Sequence, residues 1–413
     1  MTSDREPHLT RRQWLTSAAV IGGTAVAGGS LGGILHHSQG ATTASSTSDE
    51  PTDDVFFGHV REPFYGPHQA GITSAIQAHA SYLGFTFHPH ATATDVVRTL
   101  RILTHDAALL TQGKGALADT EPELAHTPAR LTVTVGFGPE FFDRAGIPHL
   151  RPPHLAQLPS YRIDRLDPAY GQTDLLLLIQ GDDPTSVAHA ARVHTRQIRS
   201  FAQRAWTQHG FSYARGTHPQ GTTMRNLMGQ VDGTHTAHTQ ASDEHVWLRD
   251  SDGDRHVGAT TFVLRRIAMT LDTWDEVDRP GREDALGRRM SDGAPLTGTA
   301  EHDPPDFEAR NDLGFPVIAP YAHIRRAHHP DPTVRIYRRA YNFNDPPTPD
   351  NPHTTGLLFG SFQRSIPNQY LPIQNRLAEL DALNEWTIPV GSAVYYIPPG
   401  VREGQFLGEQ LLT

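Results

Sequence analysis

The sequence places the same kind of secondary structure twice along the chain, and this repetition restricts the fold more than any other feature. In the first half, LTVTVGFG (131–138) alternates as a half-buried strand does, and DLLLLIQGDDP (174–184) predicts a strand with a continuous apolar run. A long helix is predicted after Pro184. In the second half, TTFVLRRIAM (260–269) and GSAVYYIPPG (391–400) predict further strands. Two strand-rich halves, each with helices on one face of its sheet, indicate an α+β fold rather than a doubly wound one.

Two helical patterns add to this arrangement. The stretch HQAGITSAIQAHASYLGF has Ile72, Ile76, Ala80 and Leu83 at helical spacing, so a helix is predicted there. The helix after Pro184 carries His194 within its apolar stripe. A histidine in that position is predicted to be packed in the core rather than to act as a ligand.

Length and composition restrict the class of protein. The 413 residues suffice for two domains or one large two-part domain, and we place the boundary between an N-terminal half (55–215) and a C-terminal half (216–413). Charged residues are 19% and hydrophobic residues 37%, which is typical of a globular protein. The net charge of -10 leaves no basic surface for nucleic acid. No glycine-rich phosphate motif follows a strand, so nucleotide binding is not expected.

The absence of cysteine excludes several chemistries at once. Without a thiol the chain can form no disulfide, no thiolate–metal bond, no thioether link to haem and no cysteine nucleophile. The 25 histidines are the alternative source of strong metal ligands.

The first 54 residues are predicted to be a signal and a polar linker rather than part of the fold. Arg11 and Arg12 precede an uncharged run (13–35) whose many glycines and alanines would make a poor permanent membrane span. This pattern resembles a twin-arginine export signal. A chance arginine pair before an anchor helix is the alternative. The mature domain is expected to begin near Val55.

Three short stretches hold the candidate catalytic residues. RNLMGQVDGT (225–234) sets an aspartate between two glycines, although an Asp-Gly pair by itself is most often a turn. YAHIRRAHHP (321–330) and RIYRRAYNF (335–343) supply a histidine and several arginines.

Together these stretches resemble the dye-decolourising (DyP-type) haem peroxidase family. The family's GxxDG signature is matched by Gly229, Asp232 and Gly233. The His-Ile-Arg stretch matches the position of the family's proximal haem ligand, and the Arg-Ile-x-Arg-Arg stretch matches its distal arginine. The resemblance covers nearly the whole mature chain and is strongest to the exported, twin-arginine branch, which includes deferrochelatase/peroxidases. Further matching stretches are PFYGPHQAGI, TVGFGPEFF, GRRMSDGAPL and GLLFGSFQRSIPNQYLPIQNRL.

The resemblance implies a fold, a cofactor and an activity. The fold is a pair of ferredoxin-like halves, each an antiparallel sheet with helices packed on one face, with the haem site in the C-terminal half. The cofactor is one haem b per chain, with its iron bound by His323. The activity is reduction of hydrogen peroxide and oxidation of organic dyes, phenols or similar reductants through a high-valent iron intermediate. The implied cofactor contacts are Gly229, Gly233, Thr234, His323, Arg338, Leu357 and Phe359, the last two being pocket wall or ordinary core.

Physical chemistry supports catalytic roles for Asp232 and Arg338. Peroxide activation needs a base that moves a proton between the two oxygens, and a cation that stabilises charge as the O–O bond breaks. A carboxylate supplies the first and a guanidinium, which stays protonated at any working pH, supplies the second. Gly229 and Gly233 are expected to let the backbone lie against a flat macrocycle. Without cysteine, the axial iron ligand is drawn from His, Met or Tyr, and His323 lies among cations suited to propionates.

Several alternatives stay open at this point. After Gly233 the chain reads Thr234, His235, Thr236, Ala237 and His238, without the Asn-Pro that relatives often have there. His235 and His238 could bind copper or zinc in a protein without haem. A second alternative is a non-catalytic haem carrier or a haem-processing, iron-releasing protein. A carrier needs an axial histidine but no distal acid and cation. Three arginines are either propionate partners or surface charge: Arg325, Arg326 and Arg339.

The expected partners follow from the same reading. They are hydrogen peroxide, a small-molecule reductant and the twin-arginine export machinery, with no nucleic acid and no stable membrane span after signal removal. The expected location is periplasmic, extracellular or associated with the cell envelope. The oligomeric state is left open, with a homo-oligomer as one alternative.

Overall fold

Eight antiparallel β-strands form a closed barrel in the computed structural model, which describes residues 56–234, 242–347 and 353–413. The strands are β1 (His79–Phe87), β2 (Thr132–Phe137), β3 (Leu175–Gly181), β4 (Ala202–Phe211), β5 (Thr260–Met269), β6 (Tyr337–Asn344), β7 (Thr355–Gln363) and β8 (Thr387–Ile397).

Helices and short helical turns connect these strands. The helices are α1 (Ala93–Leu110), α2 (Phe141–Arg144), α3 (Pro184–Ile198), α4 (Ser242–Val246), α5 (Leu271–Asp275), α6 (Arg279–Leu286), α7 (His323–Ala327), α8 (Leu371–Leu380) and α9 (Glu409–Leu412). A π-helical turn covers Ile366–Tyr370, and 3-10 turns cover Phe57–His59, Pro122–Ala125, Pro148–Leu150, Pro168–Tyr170, Asp250–Asp252, Asp254–His256 and Ala382–Glu385. In the described part of the chain, no helix is both long and apolar enough to cross a membrane.

The barrel consists of two four-stranded sheets with the same internal order. In the first half the strands lie side by side as β4-β1-β3-β2, with α1 between β1 and β2 in sequence and α3 between β3 and β4. In the second half the order is β8-β5-β7-β6, with α5, α6 and α7 between β5 and β6 and α8 between β7 and β8. This order and connectivity define the ferredoxin-like unit. The predicted α+β fold with two ferredoxin-like halves is therefore confirmed.

The two sheets join at two short antiparallel contacts. Strand β2 meets β8 where Phe137 pairs with Tyr396, and β4 meets β6 where Phe211 pairs with Asn342. Closing the sheet in this way leaves neither half with an unpaired edge.

The N-terminal half packs its helices on the outer face of its sheet. Helix α1 begins with a capping box in which the Thr92 hydroxyl accepts from the Asp95 amide and the Asp95 carboxylate accepts from the Thr92 amide. The helix then buries Leu100 and Leu103 against the sheet. In α3, Asp183 caps the first turn and Pro184 occupies its start, where a missing N–H costs nothing. The predicted helix after Pro184 is confirmed, and His194 is buried in it.

One local prediction from the sequence is wrong. The helix expected through Ile72, Ile76, Ala80 and Leu83 is instead a loop followed by β1. Strand β1 is buried on both faces, with Ala80 in the cluster inside the barrel and Leu83 in the cluster under α1 and α3. A strand with apolar residues on both faces has no clean period of two, so it can imitate helical spacing.

Strand β6 directs alternate residues to opposite sides of the barrel wall. Tyr337 and Tyr341 belong to the buried cluster inside the barrel, and Arg339 donates hydrogen bonds there to Gln77 and Gln180. Because side chains alternate along a strand, Arg338 lies on the outer face of the second sheet. The alternation of side chains along β6 therefore decides on which face Arg338, the predicted distal arginine, lies.

Candidate active site

Asp232 and Arg338 form an ion pair on the outer face of the second sheet. Arg338 Nη1 donates to Asp232 Oδ1 at 3.1 Å, although 106 residues separate them in sequence. The Asp232 side chain is 14% exposed and that of Arg338 is 23% exposed, so the pair is sheltered but open to a small molecule. An acceptor and a fixed cation thus lie next to each other where both can reach one ligand.

A tight turn holds Asp232 in place. Asn226 Oδ1 accepts from the amides of Met228 (3.0 Å) and Gln230 (3.3 Å), and Asn226 Nδ2 donates to Asp232 Oδ2 at 3.2 Å. Gly229 has φ +84°, a left-handed conformation that glycine adopts without strain. The Asp232 carboxylate therefore accepts one hydrogen bond from the turn and one from Arg338. Sequence reasoning missed Asn226, although an asparagine at the start of a turn, whose side chain accepts from the amide two residues on, is a known signal for such capping.

Local backbone conformation and packing explain the two glycines of the GxxDG signature, Gly229 and Gly233, without a ligand. Both have positive φ, +84° at Gly229 and +141° at Gly233. A Cβ at Gly229 would come within 3.1 Å of Met290 Cε, and one at Gly233 within 3.1 Å of Thr223 Cγ2. The expected approach of this backbone to a macrocycle stays a prediction.

His323 is the first residue of α7, and its ring is held by Asp381. The two side chains share a hydrogen bond of 2.6 Å between His323 Nδ1 and Asp381 Oδ2, and the carboxylate must be the acceptor. Asp381 Oδ1 also accepts from the Leu383 amide, which fixes the carboxylate at the end of α8. Since Nδ1 carries the proton, Nε2 is the nitrogen with a free lone pair. A carboxylate behind a histidine is the usual second partner of a metal-binding imidazole.

The charges around His323 include both members of the Asp232–Arg338 pair. Burial lowers the pKa of His323, but the nearby carboxylates, Asp381 foremost, together outweigh it, and the pKa of the imidazole is raised above its ordinary value. Asp232 raises this pKa further and Arg338 lowers it. Both charges therefore lie close enough to act on the imidazole. The structure brings together the three predicted residues His323, Asp232 and Arg338.

Thr234 and its neighbourhood extend the polar side of the site. The hydroxyls of Thr223 and Thr234 donate to Glu301 Oε1 at 2.6 and 2.8 Å. Arg288 donates to the backbone carbonyl of Glu301, and its pKa is lowered by burial and by the nearby charge of Arg338. Thr234, predicted to contact the cofactor, thus has its hydroxyl proton committed to Glu301. Two close guanidinium groups make this part of the site favourable for an anion.

Leu357 and Phe359 lie on β7 beside the ion pair. Phe359 pairs across the sheet with Ala340, two residues beyond Arg338. Leu357 and Phe359 pack in one apolar cluster with Met224 and Met228 from the turn before Asp232. The two residues predicted to form pocket wall therefore share a cluster with that turn. Whether they contact a cofactor stays a prediction.

Arg325, Arg326 and Arg339, predicted to be either propionate partners or surface charges, form hydrogen bonds within the protein. Arg339 is 3% exposed and hydrogen-bonded inside the barrel, so it is neither a surface charge nor on the face that carries His323. Arg325 donates to the backbone carbonyls of Phe307 and Ile318, and Arg326 to that of Arg376. These contacts give structural roles to three of the predicted cations. His235 and His238 lie outside the described residues.

The donor set fits a haem better than a bare metal ion. The described residues include no cluster of three or more His, Asp or Glu side chains able to hold a metal. One imidazole with a carboxylate behind it is sufficient for haem iron, because the macrocycle supplies the remaining equatorial ligands. The apolar cluster of Leu357 and Phe359 suits a flat, mostly apolar group. A single histidine backed by a carboxylate, near a carboxylate–guanidinium pair, indicates a haem-dependent oxidoreductase.

Comparison with known protein families gives the family. Residues 69–212 match the family model described as Dyp-type peroxidase, N-terminal, and residues 223–402 match Dyp-type peroxidase, C-terminal. The chain belongs to the Dyp-type peroxidase family, and it is a haem peroxidase.

Individual relatives agree with this assignment. The chain is 32% identical over 335 residues to the dye-decolorizing peroxidase of Thermobifida fusca (strain YX), covering 79% of this chain and 77% of the relative. It is 29% identical over 414 residues to the deferrochelatase of Escherichia coli (strain K12), covering 95% of each. The crystal structure of a DyP-type peroxidase from Cellulomonas bogoriensis superposes with a TM-score of 0.84 at 46% identity, covering 86% of this chain and 99% of that one.

Proposed function

We propose that this peroxidase binds one haem b through His323 Nε2 and activates hydrogen peroxide with Asp232 and Arg338. The observation that carries the proposal is the 3.1 Å ion pair between Arg338 Nη1 and Asp232 Oδ1, close enough to His323 for both charges to act on its imidazole. Haem, when bound, supplies the iron that takes up peroxide and transfers its oxidising power to a reductant. The reductants are organic dyes, phenols or similar small molecules.

Each distal residue has one task. With hydrogen peroxide in the site, Asp232 would accept a proton from one peroxide oxygen and return it to the other, which would leave as water. Arg338 stabilises the negative charge that develops on the leaving oxygen, and it does so without reorganising because the guanidinium is already in place. Asn226 and Arg338 together hold the carboxylate in the orientation that the proton transfer needs. The chain's residues therefore supply the acid–base and electrostatic parts of the reaction.

The test is the rate at which the haem spectrum changes when hydrogen peroxide is mixed with holoenzyme in a stopped-flow instrument. Arg338→Leu should slow this step by about 10²–10³, the usual cost of losing a preorganised charge-stabilising donor. Asp232→Asn should slow it by about 10² and flatten its pH dependence, because water can carry the proton less efficiently. Arg338→Lys should recover part of the rate.

Arg98→Leu is a suitable control, since it removes an exposed guanidinium from α1 in the other half. A wild-type rate in Arg338→Leu, with haem still bound, would show that the site uses a different cation.

The distal pair favours catalysis over a purely carrying role. A haem carrier needs the axial His323 but gains nothing from a carboxylate and a guanidinium beside the iron. Relatives named deferrochelatase leave iron release from haem as a second candidate function. Incubation of the haem-loaded protein with a ferrous chelator, with and without reductant, separates the two. Free porphyrin as product would support iron release.

We further propose that the chain is exported by the twin-arginine route and acts in the periplasm, the cell envelope or the extracellular space. The support is the sequence around Arg11 and Arg12. Replacing both arginines with lysines should retain the precursor in the cytoplasm, as followed by fractionation and immunoblotting. Export of the lysine variant at the normal level would contradict this route.

A further inference from the structure

Of the five methionines in the chain, the four that the structure describes all lie in or against one apolar cluster. Met224, Met228 and Met269 belong to the cluster and are 6%, 3% and 7% exposed, whereas Met290 packs against it and is partly exposed. The same cluster contains Leu357, which lies beside the proposed site. An enzyme that consumes hydrogen peroxide thus places its described thioethers, which are groups that peroxide oxidises, together near the site where peroxide acts.

Met290 lies on a loop that packs against the turn carrying Asp232. The terminal methyl of Met290 faces Gly229, since a Cβ placed on that glycine would come within 3.1 Å of Met290 Cε. A Cβ on Gly293, in the same loop, would come within 2.8 Å of the Val231 side chain. The loop therefore contacts the turn at two positions, both within three residues of Asp232.

Arg225 fixes the backbone of Met290 to the same turn. Its Nη1 donates to the carbonyls of both Gly229 and Met290 at 2.8 Å, and its Nη2 donates to the Ser291 carbonyl at 2.7 Å. From the other side, the Met290 amide donates to Glu283 Oε1 at 3.0 Å. Because its amide and its carbonyl are both bonded, Met290 is held beside the turn, and only its side chain is free to rotate.

Exposure and hydrogen bonding make Met290 the most reactive of the four thioethers. Met228 Sδ accepts from Gln230 Nε2 at 3.7 Å inside the protein, and Met224 and Met269 are buried as well. Oxidation requires the oxidant to reach a lone pair on sulfur, so susceptibility follows exposure. Among the described methionines, Met290 is the one that solvent reaches.

We propose that Met290 is a site of oxidation by hydrogen peroxide, and that its oxidation displaces the turn that carries Asp232 and slows the enzyme. The thioether sulfur attacks one oxygen of hydrogen peroxide and the O–O bond breaks. The hydrogen on the transferred oxygen passes to the other oxygen, which leaves as water, and the product is methionine sulfoxide. The sulfur loses two electrons and peroxide gains two, so no further reactant is needed. The effect on the rate rests on the proposed role of Asp232 in peroxide activation.

The contact with Gly229 explains why the oxidised side chain no longer fits. A sulfoxide is polar, and its oxygen is a hydrogen-bond acceptor that the packed contact must satisfy. The Gly229 amide already donates to the Asn226 carbonyl at 2.9 Å, so it has no hydrogen to offer. The oxidised side chain of Met290 therefore turns towards water, and Gly229 loses the group that packs on it. Asn226 belongs to the same turn and donates to Asp232 through its side chain, so the disturbance reaches the carboxylate.

The experiment exposes the holoenzyme to hydrogen peroxide without a reductant, and follows each methionine by peptide mass spectrometry and the peroxide step, per bound haem, by stopped flow. Met290 should gain one oxygen before the three buried methionines do. The peroxide step should slow by roughly 10-fold as Met290 is oxidised, the effect expected for one unpaired polar atom in a packed contact. Methionine sulfoxide reductases should then restore the rate, which separates this reaction from irreversible loss of haem.

Two substitutions of Met290 and one matched control complete the test. Met290→Leu should start at the wild-type rate, because the two side chains have similar volumes, and should lose less of that rate during the exposure. Met290→Gln places a polar group of similar length at the contact and should be slow before any exposure. Met269→Leu removes a buried thioether from the same cluster and should be inactivated as the wild type is.

Three outcomes would count against these proposals. A Met290 that stays unmodified, or is modified no sooner than the buried methionines, would overturn the modification site. Inactivation of Met290→Leu at the wild-type pace, or no recovery once the sulfoxide is reduced, would overturn its effect on the turn. A wild-type peroxide step in Asp232→Asn would instead refute the proposed role of Asp232, and the mass-spectrometric result on Met290 would still stand.

Discussion

Asp381 sets the electronic character of the proposed iron ligand. Its carboxylate accepts from His323 Nδ1 at 2.6 Å and is itself held by the Leu383 amide. A histidine that donates to a carboxylate is a stronger electron donor through its other nitrogen. Stronger donation stabilises ferric over ferrous iron, so Asp381 should tune the redox potential of the enzyme.

We expect Asp381→Asn to raise the Fe(III)/Fe(II) potential, because an amide in place of the carboxylate removes negative charge behind His323. Spectroelectrochemical titration of the holoenzyme measures the shift. His323→Ala is the companion variant and should lose haem or bind it with an altered spectrum. An unchanged potential in Asp381→Asn, or a wild-type spectrum and haem content in His323→Ala, would show that His323 is not the ligand.

Three residues of the proposed site can be predicted from the sequence, whereas a fourth, Asp381, is found only in the structure. Asp232, His323 and Arg338 stand in short motifs, and their residue types match the needs of peroxide chemistry, so the sequence predicts them. Asp381 lies 58 residues after His323 with no motif around it. Its role depends on how α8 ends against α7, which is a tertiary contact that no local pattern records.

At the scale of elements, helix α3 contains a feature that should make the fold sensitive to acid. His194 is fully buried, neither ring nitrogen has a hydrogen-bond partner in the described structure, and burial lowers its pKa to about 4. In the unfolded chain the same histidine titrates near 6.5. Above pH 6.5 this histidine is neutral in both the folded and the unfolded chain, so it does not lower the free energy of unfolding. As pH falls from 6.5 towards 4, the unfolded chain binds a proton that the folded chain does not, and the free energy of unfolding decreases.

We expect His194→Leu to reduce the loss of stability between pH 6.5 and 4, by at most on the order of 3 kcal/mol. At pH 7 the substitution should be neutral or stabilising, because it removes two unpaired polar atoms from the core. Urea denaturation at a series of pH values measures both effects. His126→Leu, at an exposed position in the same half, is the control and should follow the wild-type profile. Identical acid profiles for wild type and His194→Leu would contradict this account.

Two-sided burial obscures the strand pattern of β1 but not that of β2 and β5, which are buried along nearly their whole length. Strands β2 and β5 were predicted correctly because turn residues bound them and their β-branched content is high. Strand β1 was read as helix because its two faces enter different apolar clusters. Which cluster each face meets is decided by barrel closure, and a single stretch of sequence does not contain that information.

At the scale of the molecule, the two halves depend on each other although the proposed site lies in one. The apolar cluster under α1 includes Tyr396 and Leu407 from the C-terminal half, and the Leu407 amide donates to Thr104 Oγ1 on α1. Without the first half, β6 and β8 would become unpaired edges.

We therefore expect residues 216–413 alone to be unstable and to bind no haem, even though they contain His323, Asp232 and Arg338. Circular dichroism and haem titration of the separate half measure this. Addition of residues 56–215 should restore both properties, because it supplies the missing barrel edges. A separate C-terminal half that melts cooperatively and binds haem would contradict the expected dependence.

The pairing at the two barrel seams has an evolutionary consequence. The second strand of the first half meets the fourth strand of the second half, and the fourth strand of the first half meets the second strand of the second. This exchange is the symmetry of a twofold homodimer, in which the same two edges of each copy face each other. Duplication and fusion of a gene for a single four-stranded unit would produce the present chain.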